Sequence, residues 1–306
     1  MKKFNELTPA EIQQYTQAGT IASMYSIGDE TCEITLNGQV GDGLTLSNFK
    51  CTAFVIGFDH NQSLESPGRH VTHLQLGKKG GKLIAFCDSY YEQWVAYKED
   101  IPSGAIYEPD YFAAVGNYFT CLHCTVHADP YGYINQIDSE DYSGGWNANR
   151  IRSKILASGT APNSAPSKTF PTVFPTAWKN VMTYVTKYSD NVAANYGKST
   201  ASDITATTEY VTLASVYEYE GPEELWGEAY HPIYEYTKQQ QYQYYANGNS
   251  DQHYKHSSTS WEVETYTRSV HSGGHTAGKN KPEGFICVPN TYGSISYALS
   301  PIFFIG

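Results

Sequence analysis

The carboxy-terminal stretch Tyr266–Gly306 carries the clearest strand signals in the chain and reads YTRSVHSGGHTAGKNKPEGFICVPNTYGSISYALSPIFFIG. Its two apolar pieces, Phe285–Val288 and Ile302–Ile305, are short and rich in aromatic and β-branched residues, a pattern that indicates buried strands. The residues at 270–283 and 289–297 are almost all polar or glycine, which predicts loops. We therefore expect two core strands that carry two polar loops.

Composition and charge narrow the class of protein. The chain has 306 residues, of which 40% are apolar and only 17% are charged, with 27 tyrosines and a net charge of −11. This length supports a sizeable core, and the negative charge argues against nucleic acid or an anionic membrane as a partner. No apolar run approaches the roughly 18 residues of a membrane span, and the amino terminus lacks the apolar segment of a signal peptide. We expect no membrane insertion and no signal peptide.

The amino-terminal residues predict a short capped helix. Thr8-Pro-Ala-Glu11 forms a capping box with proline at the first helical position, and Gly19 marks the end of the helix. Helices below about 12–15 residues are marginal on their own. We therefore predict that residues 1–25 form an anchoring and oligomerisation segment and that residues 26–306 form one domain. A homo-oligomer is expected, a trimer if the protein is a fibre.

The middle of the chain predicts an α+β fold with small antiparallel sheets, about three helices and long loops. Residues 34–46 alternate around Asn37-Gly38, which indicates a hairpin. Phe54–Phe58 has the composition of a core strand. Residues 175–188 predict a helix, because apolar side chains recur at helical spacing at Trp178, Val181, Met182 and Val185.

One cysteine and histidine cluster has the spacing of metal ligands. Cys121 and Cys124 flank His123, and His127 follows. A structural zinc site needs four ligands, usually as two separated pairs, and no second pair is visible, although His123 or a distant histidine would complete the set. Buried free thiols are the preferred interpretation, for these and for the other cysteines of the chain. We expect no cofactor and no stoichiometric metal.

Tyrosine-rich segments leave two interpretations open. They lie at 217–219, 230–236 and 242–245. Tyrosine beside serine, glycine and asparagine is typical of adaptable recognition surfaces, because the ring gives contact area at low entropic cost. Tyrosine also fills half-buried positions with only its hydroxyl in water.

The carboxy-terminal residues resemble a block shared by an uncharacterised family of Firmicutes and phage-borne proteins, which runs WWxRSP, loop, FCxV, loop, GVxPxF. Thr265-Tyr266 stands where that block has two aromatic residues, and Val270 stands where it has proline. The resemblance extends upstream over nearly the whole chain. The matching residues in the block are Arg268, Ser269, Phe285, Cys287, Val288, Pro301 and Phe303, and the upstream matches are 26–29, 34–38, 57–61, 144–146, 151–152, 188–191 and 241–250.

The resemblance implies a non-enzymatic phage virion protein, in a tail fibre, tail tip or capsid surface, that binds a receptor on the host cell. Its partners would be other virion proteins and a host cell-surface glycan or protein. A terminal strand pair with polar loops is similar to the C-type-lectin-like fold. Ligand contacts are expected from the carboxy-terminal loops, and Arg268 is expected to hold those loops by bidentate bonds. The expected ligand-binding residues are His271, His275, Lys279, Tyr292 and Tyr266, and the structural ones are Arg268, Phe285, Phe303 and Trp146.

Two other functions remain open from the sequence. The first is a structural or capsid decoration protein of the virion that has no ligand. The second is a metal-dependent enzyme built on the cluster at 121–127.

Overall fold

The computed structural model describes residues 1–41, 44–86, 145–148, 151–190, 204–221, 239–249, 254–256, 262–272, 282–288 and 297–306. Across these ranges the chain is α+β, with thirteen strands and mostly short helices. The strands are β1 Ile34–Val40, β2 Leu44–Phe58, β3 Thr72–Lys79, β4 Lys82–Ala85, β5 Met182–Thr183, β6 Val185–Asp190, β7 Ile204–Glu209, β8 Val211–Thr212, β9 Tyr254–His256, β10 Glu262–Ser272, β11 Pro282–Val288, β12 Tyr297–Ala298 and β13 Ile302–Ile305.

Fewer of the described residues lie in helices than in strands. The described α-helices are α1 Pro9–Gln17, α2 Ile21–Met24, α3 Gln62–Glu65, α4 Gly145–Ala148, α5 Thr176–Lys179 and α6 Val216–Glu220. Single turns of 3-10 helix lie at Phe4–Glu6, Pro162–Ser164 and Phe170–Val173, and π-helical turns at Ile151–Ile155 and Tyr245–Asn249. Within the described ranges, every helix falls short of the length and apolar character needed to cross a bilayer.

Eleven of the described strands join one curled sheet, in the order β1-β2-β3-β4-β9-β10-β11 with the others attached at the sides. The pairs are antiparallel except β4 with β9 and β10 with β12. Strands β6 and β7 form a separate two-stranded sheet. The predicted small sheets are therefore wrong for most of the described chain, because β13 and β9 link neighbouring hairpins into one surface.

The last strand, β13, lies in the middle of this arrangement. It pairs with β3 along four residues and with β5 and β8 on its other side. All four side chains of β13 are buried. The predicted strand at Ile302–Ile305 is confirmed, and the predicted strand at Phe285–Val288 lies within β11.

The capped amino-terminal helix is also confirmed. The Thr8 side chain accepts a hydrogen bond from the Glu11 N–H, and Glu11 bonds back to the Thr8 N–H. The helix packs onto the sheet, since Ile12 is fully buried and the Gln13 amide donates to the Gly306 carbonyl oxygen at 2.9 Å. Residues 1–25 thus share the core of the remaining chain, and their anchoring and oligomerising role stays a prediction.

Two local predictions need correction. The hairpin predicted over 34–46 is present, since β1 and β2 pair antiparallel, but Asn37 and Gly38 do not form its turn; β1 runs through them, with a shift in its pairing with β2 between Leu36 and Gly38. The Asn37 side chain is used instead to accept a hydrogen bond from the Asn48 N–H across the pair. The predicted helix at 175–188 ends after one turn, and strands β5 and β6 follow, because both find pairing partners in β13 and β7.

Candidate functional site

Four charged side chains meet inside the protein and form what we call the charge cluster. They come from the end of α3, from β6, from α6 and from β10, so that distant parts of the chain converge on one point. Each is at most 2% exposed. The members of the charge cluster are Glu65, Lys187, Glu218 and Arg268.

Lys187 lies at the centre of the charge cluster. Its Nζ is 2.5 Å from Glu65 Oε2, 2.8 Å from Glu218 Oε1 and 3.0 Å from the Tyr242 hydroxyl. Arg268 Nη1 donates to Glu218 Oε2 at 2.9 Å. Two carboxylates thus balance two cations, which is the arrangement that buried charges require.

Glu218 is held in place by local structure as well as by charge. It is the third residue of α6, where its carboxylate accepts the Ser215 N–H at 2.8 Å in a capping box. Burial disfavours its charged form, but Arg268 and Lys187 outweigh this and lower the pKa of Glu218. Burial dominates at Glu65 and raises its pKa to about 7, against the opposing charge of Lys187.

Two histidines and a tyrosine surround the charge cluster. The His60 ring stacks on Tyr242 with 3.9 Å between ring centroids, and His73 Nδ1 lies 3.3 Å from the Tyr242 hydroxyl. Burial, together with the positive charge of Lys187, lowers the pKa of both histidines well below the usual value. Both rings are therefore neutral, so they add no charge to the balanced cluster.

One subset of these residues has the composition of a metal site. Ligand atoms of His60, Glu65 and Glu218 lie within 4.8 Å of one another. The Lys187 ammonium, however, already bonds both carboxylates. Lys187 therefore takes the position between the carboxylates that a cation would occupy, and the arrangement within the described residues fits an internal ion cluster better than a metal centre.

The free energy of unfolding should fall as the pH is lowered from about 7 to about 5. His60 and His73 are neutral when folded, and each takes up a proton below its usual pKa of 6.5 when the chain unfolds, so acid favours unfolding. Glu65 acts in the opposite sense, because its pKa is raised from 4.5 to about 7 and the folded state keeps a proton that the unfolded state loses.

Near pH 7 the histidines and the carboxyl offset each other, and below about pH 6 two histidines against one carboxyl leave a net uptake that approaches one proton, or roughly 1 kcal/mol per pH unit. Urea unfolding across this pH range measures the dependence, and His73→Gln should nearly abolish it. Constant stability of the unaltered protein between pH 7 and pH 5 would contradict this account.

A second buried polar group is built from tyrosines around Gln75. The Gln75 amide nitrogen donates to the hydroxyls of Tyr219 and Tyr254 at 2.9 Å each, and the Tyr245 hydroxyl donates to its carbonyl oxygen. Tyr219, Tyr242, Tyr244 and Tyr245 are all buried. The interpretation of these four tyrosines as a recognition surface is therefore wrong; they fill the core, and Tyr219, Tyr242 and Tyr245 use their hydroxyls in internal hydrogen bonds. Residues 230–236 lie outside the described residues.

The residues expected to be structural are placed as follows. Trp146 is fully buried, and its indole N–H donates to Glu209 Oε1 at 3.2 Å. Phe303 is fully buried on β13. Phe285 lies on β11, opposite Val270. Arg268 is buried but is not bidentate within the described residues, where only its Nη1 is bonded and its Nε and Nη2 have no hydrogen-bond partner.

The residues expected to bind a ligand are only partly described. Tyr266 and His271 lie on β10, opposite Cys287 and Gly284, so His271 belongs to a strand and not to a loop. The structure does not describe His275, Lys279, Tyr292 or the metal-like cluster at 121–127.

The two predicted loops leave the sheet at opposite ends of β10. Residues 273–281 connect Ser272 to Pro282, which face each other at the carboxy-terminal end of β10. Residues 289–296 connect β11 to β12, whose ends pair with Thr265 near the other end of β10. Seven residues of strand separate these attachment points, or about 23 Å at the rise of a β-strand. The two segments therefore attach to β10 at separate positions.

Sequence reasoning identified only Arg268 among the charge cluster. The burial of Lys187 follows the alternation of β6, because Val185, Lys187 and Ser189 occupy alternate positions and all three are buried. The position of Glu218 follows from a capping box, in which Ser215 precedes the helix and Glu218 is its acidic third residue. Neither pattern indicates which side chains Lys187 and Glu218 pair with.

In comparisons with known proteins, no family model, curated protein or solved structure matches the chain. The family resemblance of the carboxy-terminal block therefore stays a prediction.

Proposed function

We propose that this chain is a non-enzymatic phage virion protein, in a fibre, tail tip or capsid surface, that contacts the host cell through residues 273–281 and 289–296. The proposal rests on the resemblance of the carboxy-terminal block and assigns the protein a C-type-lectin-like fold. Its partners would be other virion proteins, further copies of the chain, with a trimer expected, and a host cell-surface glycan or protein.

One observation carries the proposal: both segments connect strands of the group that β10 forms with its partners β11 and β12, and β10 itself holds the buried residues Thr265, Thr267 and Arg268. β10 lies between its neighbours β9 and β11, and Arg268 in its middle is tied to Glu218. A rigid scaffold with exchangeable connections is the usual arrangement of a recognition protein, because loops tolerate sequence change while the framework does not.

The charge cluster supports the non-enzymatic part of the proposal. Its carboxylates, and the histidines His60 and His73 beside it, are the usual groups of acid–base catalysis. All of them are buried to 3% exposure or less, so a substrate in solution has no contact with them. The charged groups bond to one another, and this favours a role in stabilising the fold.

Point substitutions test the recognition role. His275→Ala, Lys279→Ala and Tyr292→Ala should each change the stability by no more than about 0.5 kcal/mol. Fluorescently labelled protein is mixed with a panel of Gram-positive cells, and attachment is counted by flow cytometry. We expect attachment of the unaltered protein and its loss in these variants. A protein that attaches to no cell of the panel would favour the decoration role instead.

A further inference from the structure

The contact between Lys187 and Glu65 is unusual for an ion pair. The amine nitrogen and the carboxyl oxygen are 2.5 Å apart, and the two side chains are 0% and 2% exposed. The residues lie 122 positions apart in sequence, on β6 and α3. For comparison, Lys2 and Glu11 make a contact of 2.6 Å at the surface, where their side chains are 55% and 29% exposed.

Burial narrows the energy gap between the charged form of this pair and its uncharged form. Moving one proton from the ammonium to the carboxylate yields a neutral amine beside a neutral carboxylic acid, at no change in net charge. A low-dielectric interior disfavours separated charges, so it brings the neutral form closer in energy. The raised pKa of Glu65, which burial causes, is in keeping with this. A neutral amine fixed against a carboxylic acid has the high effective concentration of an intramolecular reaction.

A third group is placed to carry the protons. Glu218 Oε1 lies 2.8 Å from the same Lys187 nitrogen. Its other oxygen is fixed by Arg268 and the Ser215 N–H, so the carboxylate cannot turn away. The lowered pKa of Glu218 keeps it ionised and able to accept a proton. The Tyr242 hydroxyl also lies 3.0 Å from the nitrogen.

We propose that Lys187 and Glu65 are joined by an intramolecular isopeptide bond, with Glu218 as the catalytic residue that transfers the protons. The neutral Lys187 nitrogen attacks Glu65 Cδ, and Glu218 takes a proton from that nitrogen. Glu218 then returns the proton to the departing hydroxyl, which leaves as water. One C–N bond forms and one C–O bond breaks, with no change in oxidation state. The reaction needs no other reactant.

The bond would be a covalent cross-link within the fold. It closes a loop between residues 65 and 187 and joins α3 to β6, so these elements stay together when the core opens. Restricting the unfolded chain in this way stabilises the folded state in the manner of a disulfide across a long loop. In the joined chain Glu65 no longer titrates, so the pH dependence of unfolding approaches two protons, from His60 and His73, in place of one.

The mass of the whole protein under denaturing conditions tests the bond. The proposal predicts a mass lower than that of the sequence by one water molecule. Digestion should give one branched peptide that contains both Glu65 and Lys187, and trypsin should not cleave after Lys187. The full sequence mass, or a water loss located elsewhere in the chain, would overturn the proposal.

Variants separate the roles of the three residues. Lys187→Met and Glu65→Ala should both restore the full mass of their sequences. Glu218→Gln keeps the size of the side chain but removes the proton acceptor, so it should also remain unjoined; a joined Glu218→Gln protein would overturn the catalytic role. Lys2 and Glu11 are the internal control for proximity alone, and their peptides should be unbranched.

Discussion

Replacing Arg268 by methionine should lower the free energy of unfolding by about 3–5 kcal/mol, because it leaves a buried carboxylate without its partner. Arg268 is 1% exposed and bonds Glu218, which also faces Lys187. Without the guanidinium, Glu218 Oε2 keeps only the Ser215 N–H as a hydrogen-bond partner among the described residues, in a site that water does not reach. Urea unfolding measures the loss.

A double variant distinguishes lost charge balance from lost packing. Glu218→Gln combined with Arg268→Met removes one charge of each sign and leaves the charge cluster neutral. We expect the double variant to lose clearly less stability than the sum of the two single losses, as coupled residues do. Stability of Arg268→Met within about 0.5 kcal/mol of the unaltered protein would show that the cluster does not hold β10 in place.

Replacing Phe303 by alanine should cost a similar amount, about 3–5 kcal/mol, because a fully buried ring leaves a cavity. Phe303 is 0% exposed, and its ring contacts Phe174 and Trp178 with centroid distances of 5.3 and 5.9 Å. It lies on β13, whose neighbours on both sides depend on it for pairing. The loss should therefore appear in the unfolding of the whole domain.

Phe303→Leu serves as the matched control. Leucine keeps an apolar side chain of intermediate size, so the cavity is smaller and the loss should be well below that of alanine. Thermal unfolding of both variants measures the difference. Equal losses for leucine and alanine would contradict the packing account of β13 and would point to the aromatic edge contacts as the main contribution.

Local signals in the sequence predicted the features that local chemistry determines. The capping box at Thr8 and the core strands at Phe54–Phe58 and Ile302–Ile305 are all present in the structure. Each depends on residues a few positions apart, and no distant partner is needed to recognise it.

Predictions failed where a distant partner decided the outcome. The residues after α5 have apolar spacing that suits a helix, but β6 pairs along six residues with β7. Asn37-Gly38 has the composition of a turn, but its backbone continues a ladder with β2. Tertiary pairing overrides local preference in both cases, and the sequence alone does not show the partner.

The charge cluster was beyond sequence reasoning for the same reason. Its members lie at positions 65, 187, 218 and 268, on four elements that come together only in the folded chain. A buried lysine and a solvated lysine look alike in sequence. Arg268 is a matching residue of the carboxy-terminal block and lies between a polar stretch and the core strands, but only the structure shows its partner, Glu218.

The most direct test of the account measures stability and attachment on the same segment-exchange variants. Residues 273–281 and 289–296 are replaced, separately and together, by glycine and serine of equal length. The account predicts that the melting temperature stays close to that of the unaltered protein and that attachment to Gram-positive cells is lost, because the scaffold is intact and the contact segments are gone. Attachment that survives the exchange of both segments would contradict it.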